Sequence, residues 1–276
     1  MSEFQWYFPE TLDEVIELLR EPGVAPHGGG TGIIRGRLDR YKGLICLDRL
    51  GLDYVKITND EVEIGATATY QDVIDRLKTD SEDCILVKSL QRAASTPLRN
   101  RITIGGSVAY FPIWSDLMGP LIALKAEVEL IGEHEGVYPI EKFAKDRSLK
   151  RGSLIRSVRF KKFKGLSYYQ RVARTHFDYG ALNISLLTNS KDGKISDFRL
   201  VLVGSRQKFQ TFEELSDAVI GREPGEIDPS QLVNSIADSI QFHDTRIGSG
   251  EYTKAVALVE IERAIESTLK NLEEKK

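Results

Sequence analysis

Within the first 160 residues, some segments have apolar residues at the spacing of a helix, and others have them at the spacing of a strand. A first helix over Leu12–Arg20 is predicted, because Thr11 and Glu14 have the spacing of a capping box and Pro22 ends the pattern. Short apolar runs and alternating segments predict strands. The further predicted helices are Tyr70–Lys78, Ile85–Ala94 and a short one from Asp116 to Leu124, and Thr96–Arg101 is predicted as a polar connection. The predicted strands are Val24–Pro26, Gly43–Asp48, a hairpin of Val55–Ile57 and Val62–Ile64, Glu127–Ile131 and Leu154–Phe160.

The pattern changes after about residue 163. Ala181–Thr188 and Ile195–Val203 are apolar runs joined by a polar connection with Asp192-Gly193, which predicts a hairpin. Three helices should follow it, with a capping box at Thr211 and Glu214 for the first and an N-cap at Asp228 for the second. Their predicted ranges are Thr211–Ile220, Gln231–Ser239 and Gly250–Leu272. A hairpin followed by helices indicates a small α+β domain after an α/β part.

Composition removes several classes of protein. The chain has 276 residues, 38 basic against 41 acidic side chains, and a net charge of −3. This charge argues against nucleic-acid binding, and the length favours two or three modest subdomains over one core. No apolar stretch has the length of a membrane span, and the first residues lack the features of a signal peptide. A cytoplasmic protein without a membrane partner is therefore expected.

The cysteines and histidines do not indicate a metal site. Cys46 and Cys84 lie 38 residues apart with no second thiol near either, whereas zinc and iron–sulfur sites need three or four closely spaced ligands. Both cysteines are interpreted as core residues. The histidines show no pairing at helical spacing; they are His27, His134, His176 and His243. The chemistry of the protein is expected to come from a bound organic cofactor.

Two glycine-rich segments lie about 75 residues apart. Gly28–Gly32 contains four glycines and Thr31, and Thr103–Ser107 contains Gly105 and Gly106 between two hydroxyl residues. Successive backbone N–H groups in such turns bind anions, and glycine permits a close approach of phosphate oxygens. Together the two turns could hold a pyrophosphate. The alternative is that both are only tight turns.

A Rossmann fingerprint is a second interpretation of the first segment. Gly30, Gly32 and Gly36 approximate its spacing, and Asp48 follows 18 residues after Gly30 at the end of a predicted strand. The preceding strand is short, polar and contains a proline, and no helix-packing face follows the glycines. The context therefore disfavours this interpretation.

Several motifs resemble the FAD-binding medium subunit of the molybdenum hydroxylases, the family of the xanthine dehydrogenase and carbon monoxide dehydrogenase medium chains. The likeness covers nearly the whole chain, and its second block is the most specific. The matching segments are Gly29-Gly30-Thr31-Gly32-Ile33, Leu98-Arg99-Asn100-Arg101-Ile102-Thr103-Ile104-Gly105-Gly106-Ser107, Ser115-Asp116, Leu121-Ile122-Ala123-Leu124, Arg174-x-x-x-Asp178 and Glu251-Tyr252.

This resemblance implies an α+β fold. It consists of a PCMH-type FAD-binding domain, as in vanillyl-alcohol oxidase, followed by a C-terminal domain with an antiparallel sheet and helices. The FAD-binding domain would have a small and a larger α/β lobe. The expected boundaries are 1–55, 56–165 and 166–276.

The resemblance also implies which residues bind FAD, and it assigns no catalytic residue. Asp116 would accept hydrogen bonds from ribityl or ribose hydroxyls, Ile155 would lie against the flavin, and Arg171 would place a cation near the reduced flavin. Without the resemblance, Asp116 is equally well interpreted as a helix N-cap, and Ile155 as a core residue. The residues implied to surround the pyrophosphate are Pro26, His27, Gly28, Gly29, Gly30, Thr31, Gly32 and Ile33 on one side, and Thr103, Ile104, Gly105, Gly106 and Ser107 on the other.

Two positions depart from the family pattern. Gly32 stands where relatives often have Asp, and Ser107 stands where they usually have Asn. Both positions lose a longer polar side chain, so the resemblance predicts that FAD binds but leaves its affinity open. The cysteine-rich insertion that carries an extra cluster in some relatives is absent from this sequence.

The function implied is electron transfer by FAD within a multi-chain oxidoreductase. The partners would be an iron–sulfur small subunit and a molybdopterin large subunit, with NAD or another compound as the acceptor. The substrate would bind to another polypeptide. Two alternatives stay open: a stand-alone flavin oxidase or reductase, and an assembly subunit that has lost FAD.

Overall fold

The computed structural model describes residues 4–34, 36, 38–81, 83–175, 178–245 and 248–274. The chain forms two compact units, each assembled from three segments. The first unit comprises Met1–Asp80, Ala94–Phe111 and Lys125–Lys162. The second unit comprises Ser81–Ala93, Pro112–Leu124 and Phe163–Lys276. The predicted division into residues 1–55, 56–165 and 166–276 stays a prediction.

Strands and helices follow one another in runs along the chain. The strands are β1 (Gln5–Tyr7), β2 (Val24–His27), β3 (Gly43–Cys46), β4 (Val55–Ile57), β5 (Glu61–Gly65), β6 (Glu127–Gly132), β7 (Gly136–Pro139), β8 (Ser153–Lys161), β9 (Leu166–Val172), β10 (Leu182–Lys191), β11 (Lys194–Val203) and β12 (Phe209–Thr211). The helices are α1 (Leu12–Leu18), α2 (Tyr70–Lys78), α3 (Ile85–Leu90), α4 (Thr96–Arg99), α5 (Ile104–Tyr110), α6 (Met118–Ala123), α7 (Ile140–Lys145), α8 (Glu213–Val219), α9 (Pro229–Ile236) and α10 (Gly250–Glu274). Helices α2 to α6 lie between strands β5 and β6, and strands β8 to β12 precede α8.

A three-stranded parallel sheet lies at the start of the first unit, in the order β1-β3-β2. The central strand β3 is apolar and buried, with Leu44 and Ile45 nearly inaccessible to solvent. Pro26 lies in β2, which is an edge strand, and an edge position tolerates a residue that lacks a backbone N–H. The strand predicted over Val24–Pro26 is thus confirmed, and it leads directly into the first glycine segment.

The larger sheet of the first unit is antiparallel, in the order β4-β5-β8-β6-β7. The predicted hairpin forms β4 and β5, in which Val62 and Ile64 are buried. Helix α2 has the bounds that the sequence predicts. At its N-terminus the Thr69 side chain accepts a hydrogen bond from the Asp72 amide, and Asp72 in turn accepts from the Thr69 amide at 2.8 Å.

The second unit contains a four-stranded antiparallel sheet in the order β12-β11-β10-β9. The predicted hairpin is confirmed as β10 and β11. One apolar face of this sheet, including Ile184 and Leu202, forms a core with the buried residues of α10, such as Ile261 and Ile265. Burial of this face stabilises the unit, because each fully buried aliphatic side chain contributes about 2 kcal/mol.

Three local predictions have different outcomes. Asp228 caps α9 as predicted, since its carboxylate accepts from the Ser230 amide at 2.9 Å. The capping box predicted at Thr211 is wrong, because Thr211 belongs to β12 and α8 begins after Phe212 without a side-chain cap. The polar connection predicted over Thr96–Arg101 is wrong in part, because its first four residues form helix α4.

None of the helices given above combines the length and the apolar character that crossing a membrane requires.

Candidate functional site

The first glycine segment follows β2 and forms a turn with unpaired amides. Gly30 has a positive φ of 76°, and a Cβ atom there would lie 2.6 Å from His27 Nε2. None of the backbone N–H groups of residues 28–33 donates to a residue that the structure describes. All these residues are half-buried, so the segment is partly open to solvent. A run of free amides around a left-handed residue is the geometry that binds anions.

The first glycine segment is in direct contact with the chain that precedes the second. A Cβ atom on Gly29 would lie 1.4 Å from the carbonyl oxygen of Arg101, so only glycine fits at this position. A Cβ atom on Gly28 would lie 2.9 Å from Thr103 Oγ1. Arg101 also donates from Nη2 to the Gly29 carbonyl oxygen at 3.4 Å. The structure thus brings together the two segments that the sequence predicts to cooperate.

The second glycine segment does not form a connecting turn between other elements, which corrects the prediction. It is the first turn of α5, with Thr103 as N-cap, whose side chain accepts from the Gly106 amide at 3.2 Å. The amides of Ile104 and Gly105 donate to Ala68 and Ala66 at 2.9 and 2.8 Å. These amides are already occupied and are not available to a ligand. Gly105 is required for another reason, because a Cβ atom would lie 2.7 Å from Ala66 Cβ.

A pocket of about 160 Å³ opens beside these segments, entirely within the first unit. Six residues that the resemblance implied for the cofactor line it: Pro26, Gly28, Thr103, Gly105, Gly106 and Ile155. The other implied residues of the two glycine segments are their neighbours in the chain and do not line the pocket. Sequence reasoning missed the remaining lining residues, which are Leu47, Ala66, Ala109, Leu130, Phe143, Leu149, Lys150, Ser153 and Leu154.

The missed residues are mostly apolar and come from distant parts of the chain, so no local motif marks them. Lys150 carries the single charged side chain of the described lining. Its ammonium group donates to the Ala109 carbonyl oxygen at 2.8 Å and lies 5.2 Å from the centre of the Phe143 ring. The pocket is therefore an apolar space with backbone groups at one side and one cation in its wall, a composition typical of cofactor sites.

His27 precedes the first glycine segment and is held mainly neutral. Burial lowers the pKa of its imidazole, Asp48 opposes this change, and Arg101 adds to it. The ring of Trp6 lies edge-on to the imidazole, with 4.9 Å between centroids. A neutral imidazole next to the turn adds no charge to the anion-binding amides.

Asp116 and Arg171 belong to the second unit and contact each other there. Arg171 Nε lies 3.2 Å from Asp116 Oδ1, and Tyr169 donates to the same oxygen at 2.5 Å. Burial raises the pKa of Asp116, and the hydrogen bond from Tyr169 and the charge of Arg171 oppose this change. Asp116 is not the N-cap that its position allowed. Its neighbour Ser115 instead accepts from the Met118 amide at the start of α6.

The structure agrees with the sequence in disfavouring the Rossmann fingerprint, and it contradicts the interpretation of the cysteines. The Rossmann fingerprint requires a helix after the glycines, but residues 31–34 form a turn and the next described element is a short 3-10 turn at Leu38–Arg40. Cys46 and Cys84 are half-buried and form no disulfide with each other, so they are not the core residues that the sequence predicts. His176 lies outside the residues that the structure describes.

Comparison with known protein families assigns the chain. The model of the FAD binding domain in molybdopterin dehydrogenase matches residues 2–160, more than half of the sequence. The chain belongs to this family. A second model, the CO dehydrogenase flavoprotein C-terminal domain, matches residues 167–268. The medium FAD-binding subunit recognised from the sequence, its fold class and FAD as its cofactor are thereby confirmed.

Individual relatives agree with this assignment. The glyceraldehyde dehydrogenase medium chain of Sulfolobus acidocaldarius is 24% identical over 270 residues, which cover 93% of this chain and 95% of the relative. The nicotine 6-hydroxylase medium subunit of Paenarthrobacter nicotinovorans is 25% identical over 222 residues, covering 78% and 77%. Because the relatives are named as dehydrogenase and hydroxylase subunits, the oxidoreductase class is confirmed.

A solved structure shows the same fold. Carbon monoxide dehydrogenase from Hydrogenophaga pseudoflava, in a form that lacks the Mo-pyranopterin moiety, has a TM-score of 0.88 at 20% identity. The likeness covers 96% of this FAD-binding chain and 97% of the other.

Proposed function

We propose that the protein is the electron-transfer subunit of a molybdenum hydroxylase-type complex. In this role it passes electrons between iron–sulfur clusters on a partner subunit and NAD or another acceptor. The observation that carries the proposal is the run of free amides at residues 28–33 beside a pocket lined by apolar side chains. A dinucleotide has an anionic centre and flat apolar ends, and the arrangement fits such a molecule.

The first glycine segment would hold the pyrophosphate. The amides of Gly28–Ile33 would donate to the phosphate oxygens, and hydrogen bonds to a charged acceptor are stronger than those between neutral groups. Pro26 and His27 would fix the entry of the chain into this segment. Arg101 contacts Gly29 and Thr103 contacts Gly28, and these contacts keep the segment in place.

The start of α5 would support the cofactor without donating its first amides. Gly105 and Gly106 line the pocket, so the absence of their side chains lets a ligand approach the backbone. The first turn of α5 would be held in position by Thr103, Ile104 and Ser107. Ile155 is 6% exposed and would pack against a ring of the cofactor.

The bound FAD supplies the redox chemistry, and the protein positions the cofactor and shields it from water. No side chain of the pocket is assigned as a catalytic acid or base. The roles of Asp116 with the cofactor hydroxyls and of Arg171 with the reduced flavin stay predictions from the family resemblance. In the second unit the two side chains form a buried ion pair.

The partner subunits are proposed from the names of the relatives. A medium chain or medium subunit is one chain of a larger enzyme, and the related carbon monoxide dehydrogenase is described by its molybdenum cofactor, whose Mo-pyranopterin moiety that form lacks. An iron–sulfur small subunit and a molybdopterin large subunit are the partners proposed for this chain. FAD would then be its single redox centre.

The first test is the flavin content of the purified chain. We expect a yellow protein with close to one FAD per chain, or an apoprotein that recovers the flavin spectrum when FAD is added. A colourless protein that does not take up FAD would contradict the proposal and favour the assembly subunit without cofactor.

The second test concerns the partners. The tagged chain, expressed with its native neighbours, should copurify with subunits that contain iron, sulfide and molybdenum, measured by metal analysis. Reduction of its flavin should require the complex and its substrate. Turnover of a substrate by the isolated chain would instead identify a stand-alone flavin enzyme.

A further inference from the structure

We propose that Arg101 is a further cofactor-binding residue, whose guanidinium group pairs with the pyrophosphate of FAD. The inference rests on the proposed function, since it takes the amides of residues 28–33 as the pyrophosphate site. Arg101 would add a formal positive charge, which these amides do not supply.

The need for a charged group follows from the ligand. A pyrophosphate carries two negative charges, and removing these charges from water is costly unless they are paired as well as hydrogen-bonded. The amides supply hydrogen bonds but no formal charge. His27 contributes little, because burial lowers the pKa of its imidazole. A cation next to the turn would therefore strengthen the binding of the anion.

Arg101 is fixed at this turn by its backbone. Its carbonyl oxygen lies under Gly29, where a Cβ atom would approach to 1.4 Å, and its amide donates to Leu98 at 2.9 Å. The backbone of Arg101 therefore lies directly against the turn. The side chain is exposed, and its Nη2 donates to the Gly29 carbonyl oxygen at 3.4 Å. This long contact allows the side chain to turn towards a ligand on the neighbouring amides.

The chemistry of the guanidinium group suits a phosphate. Its planar N–H groups match two phosphate oxygens at once and stay charged at all physiological pH values. Arg101 is close enough to His27 to lower the pKa of the imidazole. Asp48 acts on the same imidazole with the opposite sign, so Arg101 also offsets a carboxylate that would repel the anion.

Lys150 is the other cation to consider. Its ammonium group binds the carbonyl oxygen of Ala109, three residues after Gly106 in α5. This spacing corresponds to about 5 Å along the helix axis. The cation therefore lies towards the other end of α5 from the glycine segments. We assign the phosphate charge to Arg101 for this reason.

The experiment compares three variants of the full-length apoprotein. Arg101→Gln removes the charge and keeps a side-chain N–H for the Gly29 carbonyl. Lys150→Gln removes the second cation, and Arg76→Gln is the control, because Arg76 is an exposed residue in the last turn of α2. FAD binding is measured by quenching of flavin fluorescence. Binding of ADP and adenosine is measured by competition with FAD.

We expect Arg101→Gln to raise the Kd of FAD and of ADP about tenfold, since hydrogen bonds to charged groups have this order of strength. The Kd of adenosine, which has no phosphate, should stay unchanged. The difference from the parent protein should shrink as salt is added, because ions screen an exposed charge. Arg76→Gln should bind ADP like the parent protein, and Lys150→Gln should raise the Kd of ADP less than Arg101→Gln does.

The inference is overturned if Arg101→Gln binds FAD and ADP like the parent protein, or if adenosine binding weakens as much as ADP binding. It is also overturned if Lys150→Gln, and not Arg101→Gln, weakens ADP binding. The salt dependence of FAD binding decides the same question if ADP alone binds too weakly to measure. If the parent protein binds no FAD, the proposed function itself fails, and this result is distinct from the others.

Discussion

A methyl group added at Gly29 should separate the two segments that form the candidate site. In Gly29→Ala the new Cβ atom would lie 1.4 Å from the Arg101 carbonyl oxygen and 2.6 Å from its carbonyl carbon. Both atoms belong to the backbone, so no side-chain rotation relieves the contact. The turn and the segment before α5 must therefore move apart by roughly 2 Å to restore an ordinary contact.

The size of the effect follows from this displacement. Overpacking that forces a backbone shift costs about 1–3 kcal/mol, and a backbone-to-backbone contact places this variant near the upper end. The FAD affinity should fall further, because the amides of residues 28–33 move with the turn. Loss of two hydrogen bonds to a charged ligand, at about 1.5 kcal/mol each, corresponds to a Kd about 100-fold higher.

Urea unfolding of the apoprotein measures the first effect, and titration with FAD measures the second. Gly32→Ala is the matched control in the same turn. Its Cβ atom would lie 3.7–4.0 Å from the ring of Tyr110, which is ordinary contact, so this variant should be as stable as the parent protein and bind FAD similarly. The reasoning is refuted if Gly29→Ala and Gly32→Ala behave alike.

Three further predictions concern named side chains. Thr103→Val should lower the free energy of unfolding by about 1 kcal/mol and weaken FAD binding, because the Gly106 amide loses its N-cap acceptor; urea unfolding and FAD titration check this. Asp116→Ala should cost about 3 kcal/mol, since it leaves Arg171 buried without its carboxylate. The additional change Arg171→Met should recover part of that loss, and equal stability of the single and double variants would contradict the ion pair. The pKa of His27 is lowered in the folded protein, so below pH 6.5 the unfolded chain binds more protons than the folded protein does. The free energy of unfolding therefore falls as the pH drops below 6.5. In His27→Gln this component of the pH dependence, measured by unfolding at several pH values, should be absent.

Elements that depend on neighbouring residues could be predicted from the sequence. Helix α2 begins directly after Thr69, because the side chains of Thr69 and Asp72 bind each other's backbone amides. These two residues are three positions apart, so the contact needs no tertiary structure. The hairpin of β10 and β11 was predictable for a similar reason. Asp192 and Gly193 both have a positive φ at its turn, and Gly adopts this conformation readily.

The same local rules were insufficient at Thr211 and at Gly105. Thr211 and Glu214 have the spacing of a capping box, but Thr211 pairs with Val201 in the sheet. Gly105 and Gly106 have the composition of a turn, but Thr103 caps a helix there, and the amide of Gly105 donates to Ala66. In both cases a strand or segment from elsewhere in the chain competes with the local pattern and determines the outcome.

The sequence by itself determined that this is an FAD-binding chain, and it predicted that two glycine segments cooperate in the site. Glycine runs with hydroxyl residues have a specific chemistry, and the matching motifs extend over both segments. The fold class followed from the same motifs and from the hydrophobic pattern.

Only the tertiary structure decided which backbone amides of the two segments are free. The amides of residues 28–33 are free for an anion, whereas the amides of Ile104 and Gly105 are occupied by the chain after β5. The pocket wall, with Lys150 and Phe143, combines residues from several distant elements. A hydrogen bond or a contact between distant residues depends on the path of the whole chain, and no local spacing encodes it.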